Sequence, residues 1–233
     1  GCMNGMITTT QYDDLSEVLE KIHAFKVTGV VEKTTCDAPY TVGEGSLKVA
    51  LYDFGAKKNI AKSLANRGIE VTVYPASTPA STIIEGNYDG VMLSNGPWDP
   101  EENTQIIEEI KKLIDSKLPI FAICLGHQLM ALAHGFHTEK LKYGHHGANH
   151  PVKDLNTGRV YISTQNHNYV ISEDSIDSHI AKPWFINVND KTIEGMQYLN
   201  ENIKTVQFHP EACAGPLDTD ALFDEFVKMM EGE

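Results

Sequence analysis

The chain has 233 residues, 41% of them hydrophobic and 22% charged, enough for one substantial core with or without a small second unit. Its 19 basic and 32 acidic residues leave a net charge of −13, which argues against nucleic acid or an anionic membrane surface as partner. No stretch reaches the length of a membrane-spanning helix, and the opening G-C-M-N-G-M-I lacks the charged and apolar regions of a signal peptide, although a start without Met leaves room for residues removed upstream.

Residues 1–45 have little strand character. Asp14–Lys26 places Leu15, Val18, Leu19, Ile22 and Phe25 at helical spacing and predicts an amphipathic helix. Cys36–Ser46, polar and Gly-containing, reads as a linker, so residues 1–45 form an N-terminal helical segment and 46–233 the main domain. From Leu47 strands and helices alternate. K-V-A-L-Y-D is a strand, Asn59–Asn66 a helix stopped by Gly68, I-E-V-T-V-Y a strand before Pro75, and G-V-M-L-S a strand before the turn N-G-P-W-D-P. Glu101–Lys117 is a long helix, and the apolar run Ile120–Ile123 follows. This alternation predicts βαβ units and an α/β fold with a doubly wound, mostly parallel sheet flanked by helices. Beyond Phe136 the expected elements are short strands at Arg159–Thr164, Tyr169–Ile171, Thr192–Tyr198 and Lys204–Phe208, then an amphipathic helix over Asp218–Met230 that packs through Leu222, Phe223, Phe226 and Met229.

The densest chemical signal is P-I-F-A-I-C-L-G-H-Q, Pro119–Gln128. A buried strand stops at Cys124, and Leu129, Met130, Leu132 and Ala133 then recur at helical spacing until Gly135. Ala122 and Gly126 flank the cysteine as small residues flank a nucleophile on a sharp strand-to-helix turn. There a thiolate meets free N–H groups and the positive end of the helix dipole. Alone, A-x-C-x-G is more often the mark of an inert buried cysteine at a strand end. Far downstream, V-Q-F-H-P-E ends a second apolar strand, and in extended chain His209 and Glu211 share a face. Cysteine, histidine and an orienting carboxylate form the nucleophile–base–orienter set of acyl transfer. Sites in open α/β sheets form beyond strand carboxyl ends, where Cys124, His209 and the Ser94–Pro100 loop all fall. The N–H groups of Gly96 and Leu125 are candidate oxyanion donors, although Asn95-Gly96-Pro97 read alone is also a plain turn. Four cysteines, Cys2, Cys36, Cys124 and Cys213, without C-x-x-C spacing predict reduced thiols in the cytoplasm.

Five stretches, L-S-N-G-P-W-D-P (Leu93–Pro100), I-C-L-G-H-Q (Ile123–Gln128), Y-G-H-H-G-A-N-H-P-V-K-D (Tyr143–Asp154), Q-N-H (Gln165–His167) and Q-F-H-P-E-A (Gln207–Ala212), together resemble the class I (triad) glutamine amidotransferases. The G-H-H-G-x-N-H-P block is particular to the carbamoyl phosphate synthetase small-subunit branch. The resemblance implies an enzyme in which Cys124 attacks the side-chain amide of L-glutamine, His209 protonates the departing ammonia and activates water, and Glu211 orients His209. It further implies oxyanion donors at Gly96 and Leu125, glutamine contacts at Gln128 and Asn166, and delivery of ammonia to a carbamoyl phosphate synthetase large subunit, for pyrimidine or arginine biosynthesis. No cofactor is implied, and no G-x-x-x-x-G-K-[ST] loop is present for ATP. His145, His146 and His150 have no defensible metal spacing and no adjacent Cys or carboxylate, so a structural role in a loop is expected and no metal site.

Departures from the family pattern cluster at the expected pocket. Trp98 stands where the family has a second Gly, Asn168-Tyr169 replace Gly-Phe, and Cys213-Ala214-Gly215-Pro216 replace S-P-G-P. In the family, the small subunit begins with a further domain that contributes a serine to glutamine binding, and this chain starts where that domain ends. Glycine serves where φ is positive or backbone approaches a ligand. Trp98 therefore predicts weak glutamine binding, through a strained or displaced loop with the indole over the pocket mouth or on a partner surface. The alternatives are a weakened amidotransferase-fold module acting mainly as a binding partner and the glutaminase of another amidotransferase.

Overall fold

The computed structural model describes residues 3–213 and 215–232; Cys2 and Ala214 lie outside the described residues. Helix α1 (Leu15–Ala24) starts where the Asp14 carboxylate accepts from the Ser16 N–H at 2.8 Å, satisfying a free donor of the first turn. Of its apolar stripe only Val18 is buried, while Leu15, Leu19 and Phe25 remain exposed. The expected linker is more ordered than its composition suggests. After α2 (Val30–Thr34), the Thr35 hydroxyl and Cys36 N–H bond the carbonyl and carboxylate of Asp53 at 2.6 and 2.8 Å. Tyr40–Val42 then forms β1, an edge strand of aromatic and β-branched residues.

The alternating region follows as β2 (Leu47–Asp53), α3 (Lys58–Ala65), β3 (Ile69–Pro75), α4 (Ala80–Ile84), β4 (Gly90–Leu93), α5 (Thr104–Asp115), β5 (Ile120–Ile123) and α6 (Leu125–Ala133). The expected helix at Glu101–Lys117 is divided, because a 3-10 turn at Pro100–Glu102 precedes α5. The remaining elements are β6 (Thr138–Asp154), β7 (Val160–Ile171), β8 (Ala181–Asn187), β9 (Ile193–Tyr198), β10 (Ile203–Val206) and α7 (Leu222–Glu231). Among the described residues the strands form one sheet in the order β1-β3-β2-β4-β5-β10-β9-β8-β6-β7. β3, β2, β4, β5 and β10 are mutually parallel, and the rest pair antiparallel.

Alternation along the central strands assigns the core to two faces. Ala50, Tyr52, Val91, Leu93, Ile120 and Ala122 join α4, α5 and α6 on one side. Val49, Leu51, Met92, Phe121 and Ile123 join α3 and α7 on the other. With both faces covered, β4 and β5 are buried along their whole length and read as continuous apolar runs. Phe226 of α7 packs 5.8 Å from Phe121, ring centre to ring centre, and each such fully buried ring contributes about 1.5–3 kcal/mol.

The antiparallel half departs most from expectation. The block around His145–His150, expected as a loop, lies in the long strand β6, and Arg159–Thr164 with Tyr169–Ile171 are one strand, β7. Positive φ at Gly144 and Gly147 and two register shifts break the apolar periodicity that would have marked β6. β8 carries Lys182 and Pro183 within an otherwise apolar run, which conceals it too. The final helix begins at Leu222, later than Asp218, and buries Phe223, Phe226 and Met229, with Leu222 half-buried.

Candidate active site

Between β5 and α6 the backbone turns through Cys124 at φ 53° and ψ −103°, a conformation that costs a non-glycine residue about 1–3 kcal/mol. Its neighbours hold it there. The Cys124 N–H donates to the Val206 carbonyl at 2.8 Å, and its carbonyl accepts from Gln128 N–H at 3.2 Å. Gly126 lets α6 start against β4, because a Cβ at that position would sit 2.7 Å from the Leu93 carbonyl oxygen. A side chain on Gly96 would run into the Phe54 carbonyl and Leu125, so the 95–98 loop lies directly on the start of α6. Among the described residues the N–H groups of Gly96 and Leu125 have no acceptor, as oxyanion donors require.

Parallel pairing brings the other chemistry to the same height. Val206 of β10 lies opposite Ile123 of β5, so the chain leaving β10 runs beside Cys124. The strand ends at Val206, two residues before the expected Phe208, and the following segment is fastened by Gln207 N–H to the Glu194 carbonyl and His209 N–H to the Thr164 carbonyl, each at 2.9 Å. His209 Nδ1 and Glu211 Oε1 are 2.7 Å apart, and the Cys124 sulfur is within reach of the same ring. Burial disfavours a charged His209, but the Cys124 sulfur and the Glu211 carboxylate outweigh it and push its pKa up to about 9. Glu211 is also buried, yet His209 and Lys57, whose ammonium is 3.4 Å away, hold its carboxyl below the usual carboxylate range.

The cavity at Cys124 measures about 160 Å³, below the roughly 300–1,000 Å³ of ordinary small-molecule pockets. Gly96, Trp98, Gln128, Asn166, Asn168 and Tyr169, singled out by sequence, all line it, joined by Pro97, Lys140 and His167. Several of these groups are engaged. Gln128 donates both amide protons, to the Tyr169 carbonyl and to Gln207 Oε1 at 2.8 Å each, so its carbonyl remains for a ligand. His146 faces Asn166 Oδ1 at 2.8 Å and Asn168 Oδ1 at 3.3 Å. The Tyr169 hydroxyl donates to Asp99 at 2.8 Å, and burial followed by that carboxylate pushes its pKa up to about 12. Trp98 holds φ at 72°, the left-handed region natural to glycine, with its indole at the pocket and 43% exposed. The Lys140 ammonium lies 6.0 Å from the Trp98 ring centre and 5.9 Å from that of Tyr169. Nothing in the sequence marked Lys140, because β6 itself was hidden. A larger cavity of about 590 Å³ shares Pro97 and Trp98 with this one but contains none of Cys124, His209 and Glu211.

His145, His146 and His150 do not converge as a set. His146 turns to the pocket asparagines, and the His150 ring stacks on His145 at 5.3 Å. His145 instead meets two carboxylates from a distant segment, Asp190 and Glu194, at 2.7 and 3.2 Å. Cys36, Cys124 and Cys213 are free thiols, and burial with the nearby Asp53 pushes Cys36 up.

Residues 50–229 match the family Glutamine amidotransferase class-I. The chain is 44% identical over 228 residues to the carbamoyl phosphate synthase small chain of Clostridium perfringens, covering 98% of this chain and 64% of that protein. It is likewise 44% identical over 235 residues to the Listeria monocytogenes small chain, covering 100% of this chain and 64% of that one. The chain therefore spans somewhat under two thirds of the length of these relatives. In fold it is similar to a crystal structure from Thermoplasma acidophilum provisionally described as a component of GMP synthase, with TM-score 0.70 at 23% identity over 80% of this chain and 94% of that one. A glutamine amidotransferase from Thermotoga maritima aligns with TM-score 0.57 at 16% identity over 79% and 83%.

Proposed function

Since the chain belongs to the class I glutamine amidotransferases, we propose that it is the glutamine-hydrolysing component of a carbamoyl phosphate synthetase. The observation that carries the reading is the Cys124–His209–Glu211 set at the ends of adjacent parallel strands, with one imidazole nitrogen bound to carboxylate and the other free for sulfur. The Cys124 thiolate attacks the glutamine side-chain carbonyl, forming the C–S bond while charge develops on oxygen against the Gly96 and Leu125 N–H groups. The C–N bond breaks as His209 gives its Nε2 proton to the leaving nitrogen, which departs as ammonia. Neutral His209 then takes a proton from water, whose oxygen displaces sulfur and releases glutamate. Glu211 keeps Nδ1 protonated and the ring aimed through both steps.

Ammonia passes to a synthetase large subunit, the partner supported by the kinship with small chains of that synthase. The test is ammonia release from L-glutamine, with and without a large subunit supplied with ATP and bicarbonate. Release that vanishes in Cys124→Ser and rises with the large subunit supports the reading; release unaffected by the substitution refutes it. One set of observations favours a second reading, a weakened module. Trp98 sits at the mouth of a small cavity in a backbone conformation suited to glycine, and both amide protons of Gln128 are spent within the protein. Turnover that stays absent in Trp98→Gly, even with the large subunit, selects that second reading.

A further inference from the structure

We propose that His145, His167 and Glu194 form a divalent-cation site, best suited to zinc, between the β6–β7 hairpin and β9 beside the pocket at Cys124. One ligand atom from each of the three lies within 4.8 Å of the others, and all three residues are buried. The spacing fits a tetrahedral ion. Metal–ligand bonds of about 2.0–2.2 Å to nitrogen and oxygen put neighbouring donors roughly 3.3–3.5 Å apart. Here Glu194 Oε1 is 3.2 Å from His145 Nδ1 and 3.6 Å from His167 Nε2.

The outer hydrogen bonds choose the tautomers. His145 Nε2 is 2.7 Å from the Asp190 carboxylate, and His167 Nδ1 is 3.0 Å from the Tyr169 carbonyl. Both partners only accept, so both of those nitrogens carry hydrogen, as in the carboxylate– and carbonyl–histidine–metal arrangements that orient zinc ligands. With the ion bound, the remaining nitrogens, His145 Nδ1 and His167 Nε2, are its donors alongside Glu194 Oε1, and His167 Nε2 also faces Gln165 Oε1 at 3.4 Å. The Thr192 hydroxyl also approaches Glu194 Oε1, at 3.4 Å, and leaves the second carboxylate oxygen untouched. Independently, Glu194 Oε2 is fully buried with no hydrogen-bond partner among the described residues. Two imidazoles and a carboxylate are zinc ligands, whereas magnesium and calcium take oxygen. His167 lines the pocket, which gives the ion a way in, and the ion would tie together strands that the sheet order holds apart. In the metal-free protein a proton on His145 Nδ1, facing Glu194, is the competing occupant.

Zinc alone is the probe, titrated against a chromophoric chelator into untagged, chelator-treated protein, both wild type and Cys124→Ser, the latter to remove the active-site thiol. The expected result is one equivalent bound in each. Cobalt in its place should give visible d–d bands without sulfur-to-metal charge transfer. His145→Gln and Glu194→Gln should weaken binding at least about a hundredfold, and Asp190→Asn about ten- to a hundredfold. Asp190 is largely exposed, so its variant keeps the test valid where loss of a buried group prevents folding. Absence of stoichiometric zinc, affinity unchanged in both His145→Gln and Asp190→Asn, or sulfur charge transfer in the wild-type cobalt spectrum that disappears in Cys124→Ser along with the binding would each overturn the proposal.

Discussion

His209 and His145 look alike at first measure. Both are buried, both sit 2.7 Å from a carboxylate, and both have a pKa pushed up to about 9. They differ at the second nitrogen. In His209 it faces the reacting sulfur, so its proton can pass to the nitrogen that leaves once the sulfur has attacked. In His145 it faces Glu194, itself fully buried, and the charge it carries is held in place by carboxylates on two sides. A raised histidine pKa thus does not identify a base; the partner on the second nitrogen decides whether the proton moves.

The largest expected effect breaks the comparison at the sulfur. Cys124→Ser should lower glutamine hydrolysis on the order of 10⁴-fold or more, measured as ammonia release. In the wild type a glutamine-like electrophile should label Cys124 alone, and peptide mapping that finds the label on Cys36 or Cys213 would reject the assignment. Next, Glu211→Gln should cost about 10²–10⁴-fold in kcat/KM, because the ring loses its aim and its charge support. In the wild type kcat/KM for glutamine should fall as pH rises through about 9, where the imidazolium that protonates the leaving nitrogen is lost, and in the variant the fall should begin at lower pH. Stability has the same sign. A folded pKa raised above 6.5 stabilises fully below pH 6.5 and less as pH climbs to about 9, so denaturant midpoints should drop across that window in the wild type and less in Glu211→Gln.

On the other side of the comparison, His145→Gln leaves Glu194 as an uncompensated buried charge. It should destabilise by about 3–5 kcal/mol in chemical denaturation while costing far less in kcat than either triad substitution. The smallest effect concerns the rim. Trp98→Gly should relieve about 1–3 kcal/mol of backbone strain and lower the KM for glutamine more than it alters kcat, and an unchanged KM would show that the indole does not govern binding.

The half of the molecule built from parallel strands was legible because β4 and β5 are apolar throughout, the other parallel strands are mostly so, and its turns are punctuated by Gly68, Gly126 and Gly135. Cys124, His209 and Glu211 stood out for the same reason, since each follows such a run. The antiparallel half hid itself. β6 is polar and bulged at Gly144–Gly147, so the block containing His145 read as loop, and nothing local linked it to Asp190 or Glu194 on another strand. At Trp98 the sequence offered a strained loop or a displaced one; the φ of 72° shows the strained conformation, with the indole lining the pocket. Side-chain commitments such as the two amide bonds of Gln128 depend on tertiary neighbours that no short motif encodes.

The position of β10 bears on how the protein comes into being. It is a central strand, seated between β5 and β9, yet it is the last of the described strands in chain order. As the polypeptide leaves the ribosome, the segments of β1 to β9 can emerge before the residue that is to activate the sulfur has been synthesised. Closing that long-range pairing is the slow kind of step, because chain entropy must be overcome before contacts repay it. Until β10 inserts, Cys124 lacks both the Val206 carbonyl that bonds its N–H and the histidine beside it. The thiol therefore gains its nucleophilic partner at a late stage of folding, and a nascent or truncated chain carries an unactivated cysteine.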